Sequence, residues 1–324
     1  MTTGTFRTLF CFAIIVLNDV VRGDDVFRVV GYAQNDVDFK LMSPAIESGI
    51  LTHLNLAFEN PLDDSGVMSY HPTNDQMRDA ARLSGAKVLV SVGGGSIAND
   101  AVLSQRYVKL LSSAGRQDFA RQLGDYVVQH DLDGVDMDLE GPAITGDYGP
   151  FIELLSSELR AREKLLTAAL SQGYGGENVP SMTLQHFDFV NVMAYDARGP
   201  WRPQEPGQHS SFDFAKSTTE YWVKRGLPES KVVLGVPFYG YGFGVDANHG
   251  IAYRGILQAY PDASKKDEIG NTIFYNGTET IAAKTEYALS AELGGIMIWA
   301  INQDAVGDQS LLKTIGDTVK QSRQ

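Results

Sequence analysis

The 324-residue sequence contains one cysteine, Cys11, so no disulfide within the chain is available and the fold depends on its core. Basic side chains are also scarce. Against 40 Asp and Glu stand 27 Lys and Arg, giving a formal net charge of −13 and a pI near 4.9. A binder that tracks nucleic-acid phosphates needs a basic stripe, and that class is set aside. Beyond the N-terminus no apolar run approaches the ~20 residues of a membrane span. After residue 25 there is no Pro- or Ser-rich linker, internal repeat or low-complexity tract. These absences leave one large globular core, and the 43% hydrophobic and 21% charged composition suits it.

The first residues read as an export signal. Arg7 supplies positive charge, Leu9 to Leu17 is an apolar run, and Val21-Arg22-Gly23 offers a cleavage site. Asp24 and Asp25 follow directly, which argues against the alternative of a buried strand. Residues 1–23 are therefore expected to be removed, taking Cys11 with them, and residues 24–324 to form one domain in a secreted or periplasmic protein. A monomer is expected.

Eight short apolar runs recur along the chain: Phe27 to Ala33, His53 to Phe58, Lys87 to Val92, Leu132 to Leu139, Leu165 to Leu170, Phe187 to Ala194, Val232 to Tyr239 and Gly294 to Ala300. Stretches of helical character separate them, among them Asn74 to Ser84, Arg116 to His130, Tyr148 to Arg162, Phe212 to Arg225 and Thr278 to Glu292. Strand followed by helix, repeated eight times, predicts an α/β fold of the single (β/α)₈ TIM-barrel type. An open doubly wound sheet shares this periodicity and stays the alternative. The long connection from Gly240 to Leu293 leaves room for a loop excursion and not for a full α+β insertion domain. Its glycines lack the helix and acidic partner of a dinucleotide site, so no cofactor is expected.

Chemistry concentrates in Asp133-Gly-Val-Asp136-Met-Asp138-Leu-Glu140. Strand alternation puts Asp136, Asp138 and Glu140 on one face, which in a barrel points inward. Leu132, Val135, Met137 and Leu139 take the other parity and ask for a covering helix layer. Three inward carboxyls need partners or protons, so shifted pKa values are expected. A divalent-cation site is the competing reading. No His or Asn stands at ligand spacing, and no metal is expected.

This motif, closing a fourth strand, resembles the signature of glycoside hydrolase family 18, which comprises chitinases, endo-β-N-acetylglucosaminidases and some inactive lectins. Ser91-Val-Gly93-Gly94 closes the third run as the family's S-x-G-G does, Met193-Ala-Tyr195-Asp196 closes the sixth, and Trp299 lies on the eighth. The likeness covers roughly residues 27 to 304. It implies a retaining mechanism in which the substrate's own 2-acetamido group attacks the anomeric carbon. Glu140 would be the acid, Asp138 would orient the acetamide, Asp136 would share a proton with Asp138, and Tyr195 would hydrogen-bond the acetamide oxygen. Ser91 would support the strand, and Gly93, Gly94, Met193 and Asp196 would line the cleft. Asp133, on the opposite parity, reads as a supporting residue at the strand start.

Sugar sites use flat aromatic faces. Trp299 resembles the family's tryptophan beneath the reacting sugar, and Tyr32, Phe58, Trp201, Tyr239 and Tyr241 stand at or beyond C-terminal strand ends. Many chitinases of the family carry aromatics on both sides of the acid, where this chain has Leu139 and Gly141. The glycine opens the cleft beside the acid, and a shallow groove is expected. The partner implied is an N-acetylglucosamine-containing polysaccharide or glycan. Cleavage of N-glycan chitobiose cores is one alternative, and a non-catalytic chitin-oligosaccharide lectin is another.

Overall fold

The computed structural model describes residues 27–324, and the segment expected to be an export signal, with Cys11, lies outside the described residues. All eight apolar runs become strands: β1 (Arg28–Gln34), β2 (His53–Glu59), β3 (Lys87–Gly93), β4 (Gly134–Asp138), β5 (Leu165–Leu170), β6 (Phe189–Val192), β7 (Val232–Pro237) and, last in the chain, β12 (Gly295–Trp299). They close in the order β1-β12-β7-β6-β5-β4-β3-β2, every pair parallel. The open sheet is excluded by the pairing of β1 with β12. Strands covered on both faces read as continuous apolar runs, which is why they were visible in the sequence.

The helices α1 (Ser43–Ile46), α2 (Thr73–Leu83), α3 (Ala101–Leu111), α4 (Arg116–Gln129), α5 (Tyr148–Arg160), α6 (Phe212–Lys224), α7 (Tyr253–Ala259), α8 (Thr278–Ser290) and α9 (Leu311–Gln321) surround the barrel. On β4 the parity is as the sequence implies. Val135, Met137 and Leu139 are buried in the layer between strands and helices, where Phe119 of α4 stacks on Phe151 of α5 at 5.5 Å. Each such side chain contributes about 1.5–3 kcal/mol by burial. At the N-terminal end of the barrel one device recurs. The side chains of Thr52, Asp133 and Asp188 accept from the amide of the second residue of a neighbouring strand: Val29 at 2.9 Å, Val88 at 2.8 Å and Leu166 at 2.8 Å. Asp133 is thus a strand-start anchor, at the end of β4 remote from Glu140.

The connection expected as a loop excursion is more ordered than that. Strands β8 (Tyr239–Gly242), β9 (Asn248–Ala252), β10 (Glu268–Ile269) and β11 (Ile273–Phe274) form an antiparallel sheet in the order β10-β11-β8-β9. It falls short of an inserted domain, yet it raises a wall over the barrel mouth. Tyr239, Tyr241, Phe243 and Phe274 form an apolar cluster that packs on Tyr195 and Trp299. The expectation of a shallow groove is corrected on this side. Alternate aromatics in Tyr239-Gly-Tyr241-Gly-Phe243 point one way, and glycine is required between them because a Cβ at Gly240 would lie 2.4 Å from the Phe274 carbonyl oxygen. Among the described residues no helix is long and apolar enough to cross a membrane.

Candidate active site

Register brings the polar inward residues to one level. Asp136 pairs with Ser91 on β3 and with Thr167 on β5, and Tyr32 and Asn191 come from β1 and β6. Asp136 is fully buried, and its carboxyl accepts four hydrogen bonds. Tyr32 and Ser91 hydroxyls donate to Oδ2 at 2.6 and 2.8 Å, and Thr167 Oγ1 and Asn191 Nδ2 donate to Oδ1 at 2.6 and 3.1 Å. Burial raises its pKa, and those four bonds oppose the rise. Neutral donors with hydrogens to give favour the anion.

Asp138, one step up the same face, has no such cage. Its Oδ1 is buried without a hydrogen-bond partner, and the carboxyl is held well above the ordinary carboxylate range by burial and then by the charges of Glu140 and Asp136. Burial raises both carboxyls, and only Asp136 has the hydrogen bonds that oppose the rise. Glu140, at the mouth, is pushed up to about 7 by burial and then by the charge of Asp196. The strand thus carries three carboxyls in different settings: Asp136 caged by four donors, Asp138 buried with an unpartnered oxygen, and Glu140 raised to about 7 at the mouth.

The mouth is shaped by aromatics and glycines. Trp299 stacks on Phe58 at 5.3 Å, and Tyr32 meets it edge-on at 5.6 Å. Met193 and Tyr195 belong to the same cluster, the Tyr195 hydroxyl lying 3.9 Å from Met297 Sδ. Gly94 has positive φ, and a Cβ there would enter the Phe58 ring at 2.6 Å. On the opposite rim Asp196 accepts from the Tyr239 and Tyr241 hydroxyls, the latter at 3.0 Å, and its amide donates to His209 Nδ1 at 3.4 Å. Trp201, 52% exposed, meets Tyr241 edge-on at 5.1 Å.

The structure thus gathers Glu140, Asp138, Asp136, Tyr195, Tyr32, Phe58, Ser91, Gly93, Gly94, Met193, Asp196, Tyr239 and Trp299 at the C-terminal end of the barrel. Trp201 stands on the outer rim. Sequence reasoning missed Thr167, Asn191 and His209. The first two carried a signal as polar residues at inward positions of apolar runs, whereas His209 sits in a loop and carried none. The opening expected at Gly141 is partly filled. Its amide donates to the Tyr174 carbonyl at 2.7 Å, and the Tyr174 ring, 3.7 Å from where a Gly141 Cβ would stand, lines that side. Among the described residues no group of three or more His, Cys, Asp or Glu is placed to hold a metal ion.

A barrel with three such carboxyls at the end of its fourth strand defines a glycosidase, and the comparisons agree. The family model for glycosyl hydrolases family 18 matches residues 28–304, and the chain belongs to that family. It is similar in structure to the GH18 chitinase from the chitin utilization locus of Flavobacterium johnsoniae, with 41% identity, a TM-score of 0.85, and coverage of 91% of this chain and 94% of that one. A chitinase from Bacteroides thetaiotaomicron follows at 27% identity and a TM-score of 0.76, covering 90% and 96%. Among curated relatives, probable chitinase 10 of Drosophila melanogaster is 25% identical over 86% of this chain, which spans 15% of the length of that protein.

Proposed function

We propose that this glycosidase cleaves β-1,4 bonds between N-acetylglucosamine units of chitin or chito-oligosaccharides, with retention and with help from the substrate's acetamide group. One observation carries the reading: the buried, unpartnered Oδ1 of Asp138 lies on the same strand face as an acid, Glu140, poised at about 7. Glu140 gives its proton to the glycosidic oxygen as the bond to the anomeric carbon breaks. The acetamide oxygen bonds to that carbon, forming an oxazolinium ion. The proton of Asp138 passes to the carboxylate of Asp136, and Asp138, now the anion, accepts the acetamide N–H and offsets the positive charge. Tyr195 donates to the acetamide oxygen, and Trp299 over Phe58 forms the floor. Water then attacks the same face of the anomeric carbon and returns a proton to Glu140, so the configuration is kept. The names of the two structural relatives support chitin as the polymer. Residues 1–23 support export, and a barrel whose eight strands close within one chain supports a monomer.

The test is proton NMR of the first product released from a chitin pentamer, beside a high-mannose glycoprotein and with and without a chelator. A β-anomeric product from the oligomer is expected under both conditions. An α product would remove acetamide participation, release from the glycoprotein alone would move the substrate to N-glycan cores, and binding without turnover would make the protein a lectin.

A further inference from the structure

Lys284 lies at the middle of α8 and is fully buried, yet no step above uses it. Its Nζ donates three hydrogen bonds of 2.7 Å each, to the Ser210 carbonyl, to Ser210 Oγ and to Asn276 Oδ1. All three partners are uncharged. Ser210 gives its own hydroxyl hydrogen to the Ala194 carbonyl at 2.7 Å, and Asn276 Nδ2 donates to the Ser210 carbonyl at 3.0 Å. Every atom facing Nζ is therefore an acceptor. A neutral amine would turn its lone pair onto one of them, so the arrangement calls for the ammonium. Burial alone draws that group down to about 7, with the charge of Asp267 opposing the fall. A buried cation without an anionic partner is a costly way to fill space, and methionine would fill it without that cost.

What the cation holds is the return of the rim segment. Ser210 follows His209, which is fully buried. The His209 carbonyl accepts from Ala197 N at 3.0 Å, Nδ1 accepts from Asp196 N, and Nε2 lies 3.3 Å from the Tyr239 carbonyl. We propose that Lys284 is a positioning residue for the active site, fixing segment 194–210 to the barrel through Ser210 and, through His209, setting the place from which Asp196 acts on Glu140. The inference rests on the reading of Glu140 as the acid. If Asp196 is released from its seat, its charge acts less on Glu140, and the acid loses its proton at lower pH.

The experiment is a double-mutant cycle read on the basic limb of the kcat/KM profile with a soluble chitin oligomer, with thermal unfolding alongside. Lys284→Met should move that limb to lower pH by about half a unit or more, as should Asp196→Asn, and the double variant should move no further than Asp196→Asn. A folded Lys284→Met enzyme with a lowered Tm and an unmoved limb, or shifts that add, would overturn the proposal. Should Lys284→Met fail to fold, Ser210→Ala, which keeps the lysine and removes the hydroxyl anchor, must show a smaller shift of the same sign, and no shift there would also overturn it. Glu140→Gln serves as the control: activity retained in that variant would instead overturn the assignment of the acid.

Discussion

Gly93 lies so close to the main chain of Asp138 that a Cβ on residue 93 would stand 2.2 Å from the Asp138 carbonyl oxygen. Next to it the Gly94 amide donates to that same oxygen at 2.7 Å. The end of β3 thus sets the height at which Asp138 and Glu140 leave β4. Gly93 also has φ +122°, outside the range of ordinary side chains. Gly93→Ala should destabilise the protein by about 2–4 kcal/mol and lower kcat disproportionately, because the backbone of the catalytic strand has to shift. Urea unfolding with kcat on the same preparation checks this, and a variant of wild-type stability and rate would refute the contact.

Glu140→Gln should separate activity from stability. The amide has no proton to transfer, and a loss of roughly 10²–10⁴-fold in kcat is expected while oligosaccharide binding persists. The acid's pKa is about 7 in the fold against an ordinary 4.5, so across that window the folded state binds more protons than the unfolded one. Wild-type stability therefore falls as pH rises from 4.5 to 7, and the deficit is fully present above 7. Glutamine escapes this burial cost. Above pH 7 the variant should be more stable than the wild type, by on the order of 1–3 kcal/mol, and near or below pH 4.5 the two should converge. Melting temperatures at both ends of that range decide it.

Tyr174 stands where the family's aromatic after the acid is missing. Exposed by 56% and bound through its carbonyl to the Gly141 amide, it offers a ring beside the residue that follows Glu140. Tyr174→Ala should raise KM for chitin oligomers about three- to ten-fold, the loss of one aromatic contact of about 1 kcal/mol. Hydrolysis of chitobiose oxazoline, which carries no leaving sugar, should be unchanged. Equal effects on both substrates would place the ring elsewhere in the reaction.

The barrel strands and the acidic face of β4 were legible because each obeys a local period: continuous apolar runs for strands covered on both sides, and alternation for inward carboxyls. The small sheet over the mouth was not. Strands β10 and β11 have two residues each, too few for a period, and the glycines of β8 read as a loop although Tyr239 and Tyr241 stood out as candidate sugar contacts. Lys284 carried a faint signal, a lysine three residues after Ile281 and four before Ala288 on the buried stripe of α8. A cation there reads as a surface residue until Ser210 and Asn276, from distant loops, are seen around it. Asp196 could be placed by its motif, but the charge it exerts on Glu140 belongs to the folded geometry alone.

Asp136→Asn tests the caged carboxyl. The cage can accept an amide, since the Tyr32 and Ser91 hydroxyls can turn to accept from Nδ2 while Oδ1 keeps its bonds from Thr167 and Asn191. The fold should survive with a loss of about 1–2 kcal/mol. What disappears is the charge beneath Asp138, the third cause of its raised pKa after burial and Glu140. Removing a neighbouring anion makes a carboxyl easier to ionise, so Asp138 should lose its proton at lower pH. In the wild type the acidic limb of the kcat profile reports the coupled Asp136 and Asp138 pair, and with one of the two ionisations removed that limb should change. The maximal kcat should also fall, by roughly 10–100-fold, because the carboxylate that takes up the Asp138 proton is gone. The basic limb belongs to Glu140, whose raised pKa traces to burial and Asp196, and it should stay near 7. Both limbs and kcat at wild-type values would reduce Asp136 to a packing residue of the barrel.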